Sequence, residues 1–176
     1  RAADRASSFG RNGTAAAIRD QTVTVATGDQ NDEHALRIVI QRGPVTIRVG
    51  TGTTDDSYIT ETSLGTGTHS LTFTPTGDFN IRFQSRLERQ VLVNSVAVEA
   101  AGVMTLPTSY AAADLKKLRY DQSGDVVYIS VQNDTQRKVE RRSTTSWSVV
   151  QYLPEDGPFR IRNVGPITLT SSALTG

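Results

Sequence analysis

Short runs in which apolar and polar residues alternate recur along the chain, and long helical periodicity is missing. A period of two sends alternate side chains to opposite faces of a strand, so each run predicts a half-buried β-strand. "ALRIVIQR" puts Leu36, Ile38 and Ile40 on one face and Arg37, Val39 and Gln41 on the other. "PVTIRVG" aligns Val45, Ile47 and Val49. With "RGP" between them, this pair predicts a hairpin with one buried face. "QTVTVAT", "YITETSL", "HSLTFTP", "DFNIRFQ" and "QVLVNSVAVEA" keep the same period, and Phe79, Ile81 and Phe83 form the most apolar face of all. Strands at such spacing, separated by Gly, Pro, Asp and Asn, predict an antiparallel sandwich.

The predicted fold class is all-β. Residues 1–13 are a lead-in, and 14–101 form a jelly-roll-like antiparallel β-sandwich with the look of a carbohydrate module. Residues 102–176 form a second, small antiparallel β unit, propeller-blade- or barrel-like, belonging to a larger module. The texture changes at that boundary, where 111–118 is the one helix candidate. After it come the strand candidates "DVVYISVQ", "QRKVERRS", "SWSVVQYL", "FRIRNV" and "ITLTSS". Turns are expected at Asn133-Asp134, 143–145 and 155–158. Trp147, the only tryptophan, shares a face with Val149, Gln151 and Leu153. Its size marks it as the packing anchor of this unit, with Val127, Ile129 and Val131 on the facing strand.

Composition narrows the chemistry. The 176 residues include no cysteine, which removes disulfides, thiolate metal sites and cysteine nucleophiles. A net charge of +1 gives no global field toward nucleic acid or an anionic membrane. No apolar run reaches the roughly 20 residues that span a bilayer. The chain opens on Arg1, not Met, and is read as a piece of a longer protein.

Three residue sets could carry chemistry. A nucleophilic triad needs a base beside Ser or Thr, yet only His34 and His69 exist and no G-x-S-x-G elbow is present. Both histidines read as exposed or edge residues. Carboxylates cluster in "DQNDE" (Asp29, Asp32, Glu33), "TDDS" (Asp55, Asp56) and "DQSGD" (Asp121, Asp125), and Asp121 and Asp125 read as shaping a turn. Oxygen-rich loops of this kind can hold calcium, so a structural calcium is the one cofactor considered and no other is expected. An aromatic content of 6% argues against a sugar-stacking cleft. The loops "GTGTTDDSY" and "GTGTHS" nevertheless supply candidate ligand contacts at Asp55, Asp56, Tyr58 and His69. The third set is basic: Arg137, Lys138, Arg141 and Arg142. On a strand, Arg137 and Arg141 face one way and Lys138 and Arg142 the other, so the charge is split across the sheet. That favours a solvated edge over a nucleic-acid stripe, which needs its cations together with aromatics between them. A lumen or interface lining is the alternative role for the four.

Residues 106–159 carry a pattern of their own. Tyr110, Asp114 and Leu115 lead in, followed by Leu118, Tyr120, Gln122, Ser123, Asp125 and Val126. The basic strand holds Arg137, Lys138 and Arg141, and Ser146-Trp147 and "DGPF" at 156–159 complete the set. This combination resembles the tail structural proteins of tailed bacteriophages, of the nozzle, hub or tail-tubular kind. The chain departs from them at "SVQNDTQ", where the family carries histidine and prolines. The resemblance implies a non-catalytic virion component located in the phage tail. Its partners would be copies of itself in a symmetric ring and adjacent tail proteins, with passing DNA a partner only if the chain faces a lumen. The rival expectation is a module that recognises host-surface glycan.

Overall fold

A computed structural model describes residues 7–10, 15–100 and 104–153. Among these residues, twelve strands are arranged in two antiparallel sheets. The first eight are β1 (Ser7–Phe9), β2 (Ala17–Val23), β3 (His34–Arg42), β4 (Val45–Gly50), β5 (Ile59–Leu64), β6 (Gly67–Phe73), β7 (Phe79–Ser85) and β8 (Val91–Glu99). A 3-10 turn, Ala112–Lys117, precedes β9 (Arg119–Ser123), β10 (Val126–Ser130), β11 (Arg137–Ser143) and β12 (Ser146–Gln151). The predicted helix is therefore one short 3-10 segment. The predicted strands at "FRIRNV" and "ITLTSS" and the turn at 155–158 lie outside the described residues.

The small sheet runs β2-β7-β4-β5, and the large one runs β1-β8-β3-β6-β12-β11-β10-β9. The first eight strands alone thus form two four-stranded sheets of order 1-8-3-6 and 2-7-4-5, the interleaving that two Greek keys produce in a jelly roll. The alternating residues meet across the sandwich. Leu36, Ile38 and Ile40 of β3 and Val45, Ile47 and Val49 of β4 are all at most 1% exposed. Phe79 sets its ring edge-on to Phe73 with centroids 5.0 Å apart.

The β3–β4 hairpin expected from "RGP" does not form. β3 pairs with β6 and β8, whereas β4 pairs with β5 and β7. The two strands face each other from opposite sheets, which buries both apolar faces more completely than side-by-side pairing could. The corner's backbone groups find side-chain partners instead. Gly43 N–H donates to Thr66 Oγ1 at 3.1 Å, and Arg89 donates to Gly43 O at 2.6 Å.

The four later strands continue the large sheet. β12 pairs with β6 from Ser146↔Leu71 to Val150↔Gly67, and β11, β10 and β9 follow outward. Gly67 makes this approach possible. Its φ is +148°, and a Cβ there would lie 2.4 Å from Val149 O and 2.9 Å from Val150 Cα. The β9–β10 turn is Gly124-Asp125, with Gly124 at φ +57° as the first central residue, so Asp121 lies within β9 and not in a turn. Among the described residues after 100, only Ser148, Val149 and Val150 are buried. The core therefore sits in the sandwich and at its seam with β12, and β9–β11 form a ribbon without an interior of their own.

Candidate functional site

Cross-strand register follows one row of residues across the large sheet. Ile40 of β3 stands opposite Gly67, then Val150, Lys138, Tyr128 and finally Asp121. All belong to one face. Over β3 and β6 that face is the sandwich core. Beyond β12 the small sheet has ended, and among the described residues the same face carries a half-buried lysine and tyrosine and an exposed carboxylate. The row beside it runs from Ile38 through His69, Ser148 and Glu140 to Val126.

The loop candidates separate under this geometry. Asp55 is committed to its own loop. Thr51 donates to it through N–H and hydroxyl at 2.7 and 2.9 Å, and Ser57 does the same at 3.2 and 2.7 Å. The Ser57 hydroxyl, then the Thr51 donors, hold the Asp55 carboxyl down at about 2. Asp56 accepts from Glu61 N–H at 3.1 Å. The Tyr58 hydroxyl meets Thr76 Oγ1 at 2.9 Å and accepts from Thr76 N–H at 3.1 Å, tying the β4–β5 loop to the β6–β7 loop.

His69 is not part of that loop set. It is 1% exposed within β6, with Gly65 O 2.9 Å from Nε2 and Ser148 Oγ 2.7 Å from Nδ1. A carbonyl can only accept, so Nε2 carries the proton and Nδ1 accepts from the Ser148 hydroxyl. Burial lowers the pKa of this imidazole, against the opposing pull of the Gly65 bond. His34 is buried too, held between the carbonyls of Asp29 and Glu99 at 2.9 and 3.2 Å. The expectation of exposed or edge histidines is thus corrected for both. His69 has a suited partner at each ring nitrogen, whereas both neighbours of His34 are acceptors, and each takes a bond only from a ring nitrogen that carries a proton.

The basic cluster is split across the sheet and paired. Arg137 reaches Asp134 at 3.5 Å, and Lys138 pairs with Glu140 on its own face. Arg141 lies 3.6 Å from Asp125, with its guanidinium 6.0 Å from the Trp147 ring centroid. Arg142 donates to Thr62 Oγ1 and Ser63 O, both at 3.1 Å, and so clasps β5 of the opposite sheet. Trp147 is half-buried on the outer face, opposite Arg141 and Ser70, rather than at the centre of a core. Among the described residues no second layer packs on this face of the ribbon for the ring to anchor. Among the described residues no three His, Asp or Glu side chains gather where they could hold a metal ion, and no helix is long and apolar enough to cross a membrane.

Sequence reasoning missed one feature. Tyr120, Tyr128 and Tyr152, three of the five tyrosines, line one cleft of about 360 Å³ at the ends of β9–β12. Arg119, Asp121, Gln136 and Arg137 share its wall. The Tyr128 and Tyr152 rings meet edge-on with centroids 5.2 Å apart, and Tyr120 is 78% exposed. Low aromatic content overall does not prevent a local gathering: register sets Tyr128 beside Asp121 and within ring contact of Tyr152, while Tyr120, opposite Ile129, belongs to the alternate row. A second groove, of similar volume but more polar, lies at the seam between β5 and the β11–β12 turn and contains Arg142.

The chain matches no protein-family model, no curated protein and no solved structure.

Proposed function

We propose that this chain is a structural component of a bacteriophage tail, of the hub, nozzle or tail-tip kind, and works as a protein–protein scaffold without catalysis. The observation that carries this reading is the pairing of β12 on β6. It welds the segment bearing the phage-like pattern to the jelly roll as one eight-stranded sheet. A building block under mechanical load gains from such continuity, because the two parts cannot move separately without breaking a ladder.

The pairing of the conspicuous charges also supports a scaffold. Arg137, Lys138, Arg141 and Arg142 each hold a neighbouring group of the same chain, as structural charges on an exposed ribbon do. In the assembly, copies of the chain would form a symmetric ring against adjacent tail proteins. Passing DNA enters this scheme only if the ribbon lines the lumen. Immunogold electron microscopy of virions, with antibody raised against this chain, tests the proposal. Gold confined to the tail is the expected result. Gold on the head, or virions without label, would overturn it.

A further inference from the structure

We infer that the tyrosine cleft at the ends of β9–β12 is a saccharide-binding site, selective for neutral sugars over polyanions. The site does not depend on the tail assignment, although a tail is one place where a sugar-binding surface would be of use. Three observations converge. The cleft's volume of about 360 Å³ falls within the roughly 300–1,000 Å³ of small-ligand pockets. Its walls combine aromatic rings with a carboxylate, a carboxamide and guanidinium groups, the mixture that grips a ring with apolar C–H faces and hydroxyls around its rim. The polar tips are also free: among the described residues nothing hydrogen-bonds the hydroxyls of Tyr120, Tyr128 or Tyr152. Asp121 accepts from Gln122 N–H through Oδ1 only, so Oδ2 remains to receive a sugar hydroxyl.

The charges decide between sugar and nucleic acid. Single-stranded nucleic acid also stacks on aromatics, but it needs a groove of uncompensated cations that follows the backbone. Here Arg137 is already turned to Asp134, and the other guanidinium of the wall, Arg119, is a single cation that stands beside the Asp121 carboxylate rather than one of a row. A phosphate entering the cleft would meet that carboxylate, whereas a hydroxyl would bond it. The β4–β5 loop is a poorer candidate, because four donors already saturate Asp55 and the Tyr58 hydroxyl is occupied by Thr76.

The test uses the full chain on an array of neutral bacterial O-antigen and capsular oligosaccharides, with heparin and a poly-dT 20-mer as polyanion arms. Binding to at least one neutral oligosaccharide is expected, and it should weaken at least tenfold in Tyr152→Ala and in Asp121→Asn. Asp56→Asn, in the β4–β5 loop, should bind as the parent does. Thermal melting checks that each variant is folded, and the exposed Asp121→Asn decides the matter if Tyr152→Ala is not. Failure to bind any neutral oligosaccharide at millimolar concentration would overturn the inference. So would binding indifferent to Asp121→Asn, or a preference for heparin or poly-dT.

Discussion

Gly67→Ala is the sharpest probe of the seam between sandwich and ribbon. The glycine sits at φ +148°, where L-residues rarely go, and an added Cβ would meet backbone on both sides of it. The nearest atoms, Val149 O at 2.4 Å and Val150 Cα at 2.9 Å, belong to β12 and cannot rotate away as a side-chain tip could. β6 cannot retreat either, since it is paired with β3 from His34↔Phe73 to Ile40↔Gly67 on its other side. Backbone strain of this kind costs about 1–3 kcal/mol. Opening the end of the β6–β12 ladder adds roughly 0.5–1.5 kcal/mol for each hydrogen bond lost. The sum predicts a destabilisation of about 2–4 kcal/mol in urea denaturation, with faster amide exchange in β12 than in β3. Gly65→Ala is the matched control, because a Cβ there meets nothing within 4 Å, and it should leave stability nearly unchanged. A loss below about 0.5 kcal/mol in Gly67→Ala, with β12 amides as protected as in the parent, would refute the reasoning from backbone strain.

Four further outcomes can be checked. Trp147→Ala should cost about 2 kcal/mol in thermal or chemical unfolding, less than the roughly 3–5 kcal/mol of a fully buried aromatic, because the ring is half-buried; a loss above 4 kcal/mol would mean that the ring is core after all. Arg142→Ala removes the clasp on Thr62 and Ser63 and should cost about 1 kcal/mol, and an unchanged urea midpoint would show the clasp to be idle. His69 is depressed below 6.5 by burial, so the unfolded chain takes up its proton first. Its contribution is fully present above pH 6.5 and lost as pH falls through the lower folded value, and His69→Gln should flatten that slope in a pH series of urea melts. Asp55 should titrate at about 2, seen in the Thr51 and Ser57 amide shifts by NMR; a midpoint near 3.8 would mean that its four donors are not held.

The strands were legible where burial imposes alternation. "ALRIVIQR", "YITETSL" and "DFNIRFQ" each mark a strand to within a residue or two, because one face of each lies in the core. β9 was not legible, since every residue of "RYDQS" is exposed and an edge strand outside the sandwich has no apolar face to declare itself. β1 is three residues long, too short for a period to show. The β3–β4 relation was misread for a different reason: alternation gives the buried face but not the sheet to which it belongs. His34 was equally hidden. The residues just before it are acidic and polar, while the carbonyl beside its Nδ1 belongs to Glu99, 65 residues further on. The role of Asp55 did leave a signal, since "TDDS" is a favourable context for an aspartate that folds back on nearby donors.

The unequal widths of the two sheets tie these observations together. An alternating strand promises one apolar face only if something covers it, and here the cover ends at β5. On β12, where the cover runs out, the inner face carries Ser146, Ser148 and Val150. On β11 it carries Lys138 and Glu140, and on β10 and β9 Tyr128 and Asp121. Val126 apart, the side chains change from core to surface chemistry as the small sheet ends, while the backbone ladder continues through a register shift between Arg141 and Ser143. His69 and Ser148 mark the crossing point: a buried imidazole in the sandwich is satisfied by a hydroxyl from β12. Removing β12 would therefore leave that buried nitrogen without its donor and expose β6 as an unpaired edge. Through β12 one eight-stranded sheet thus runs across the change of texture at residue 102.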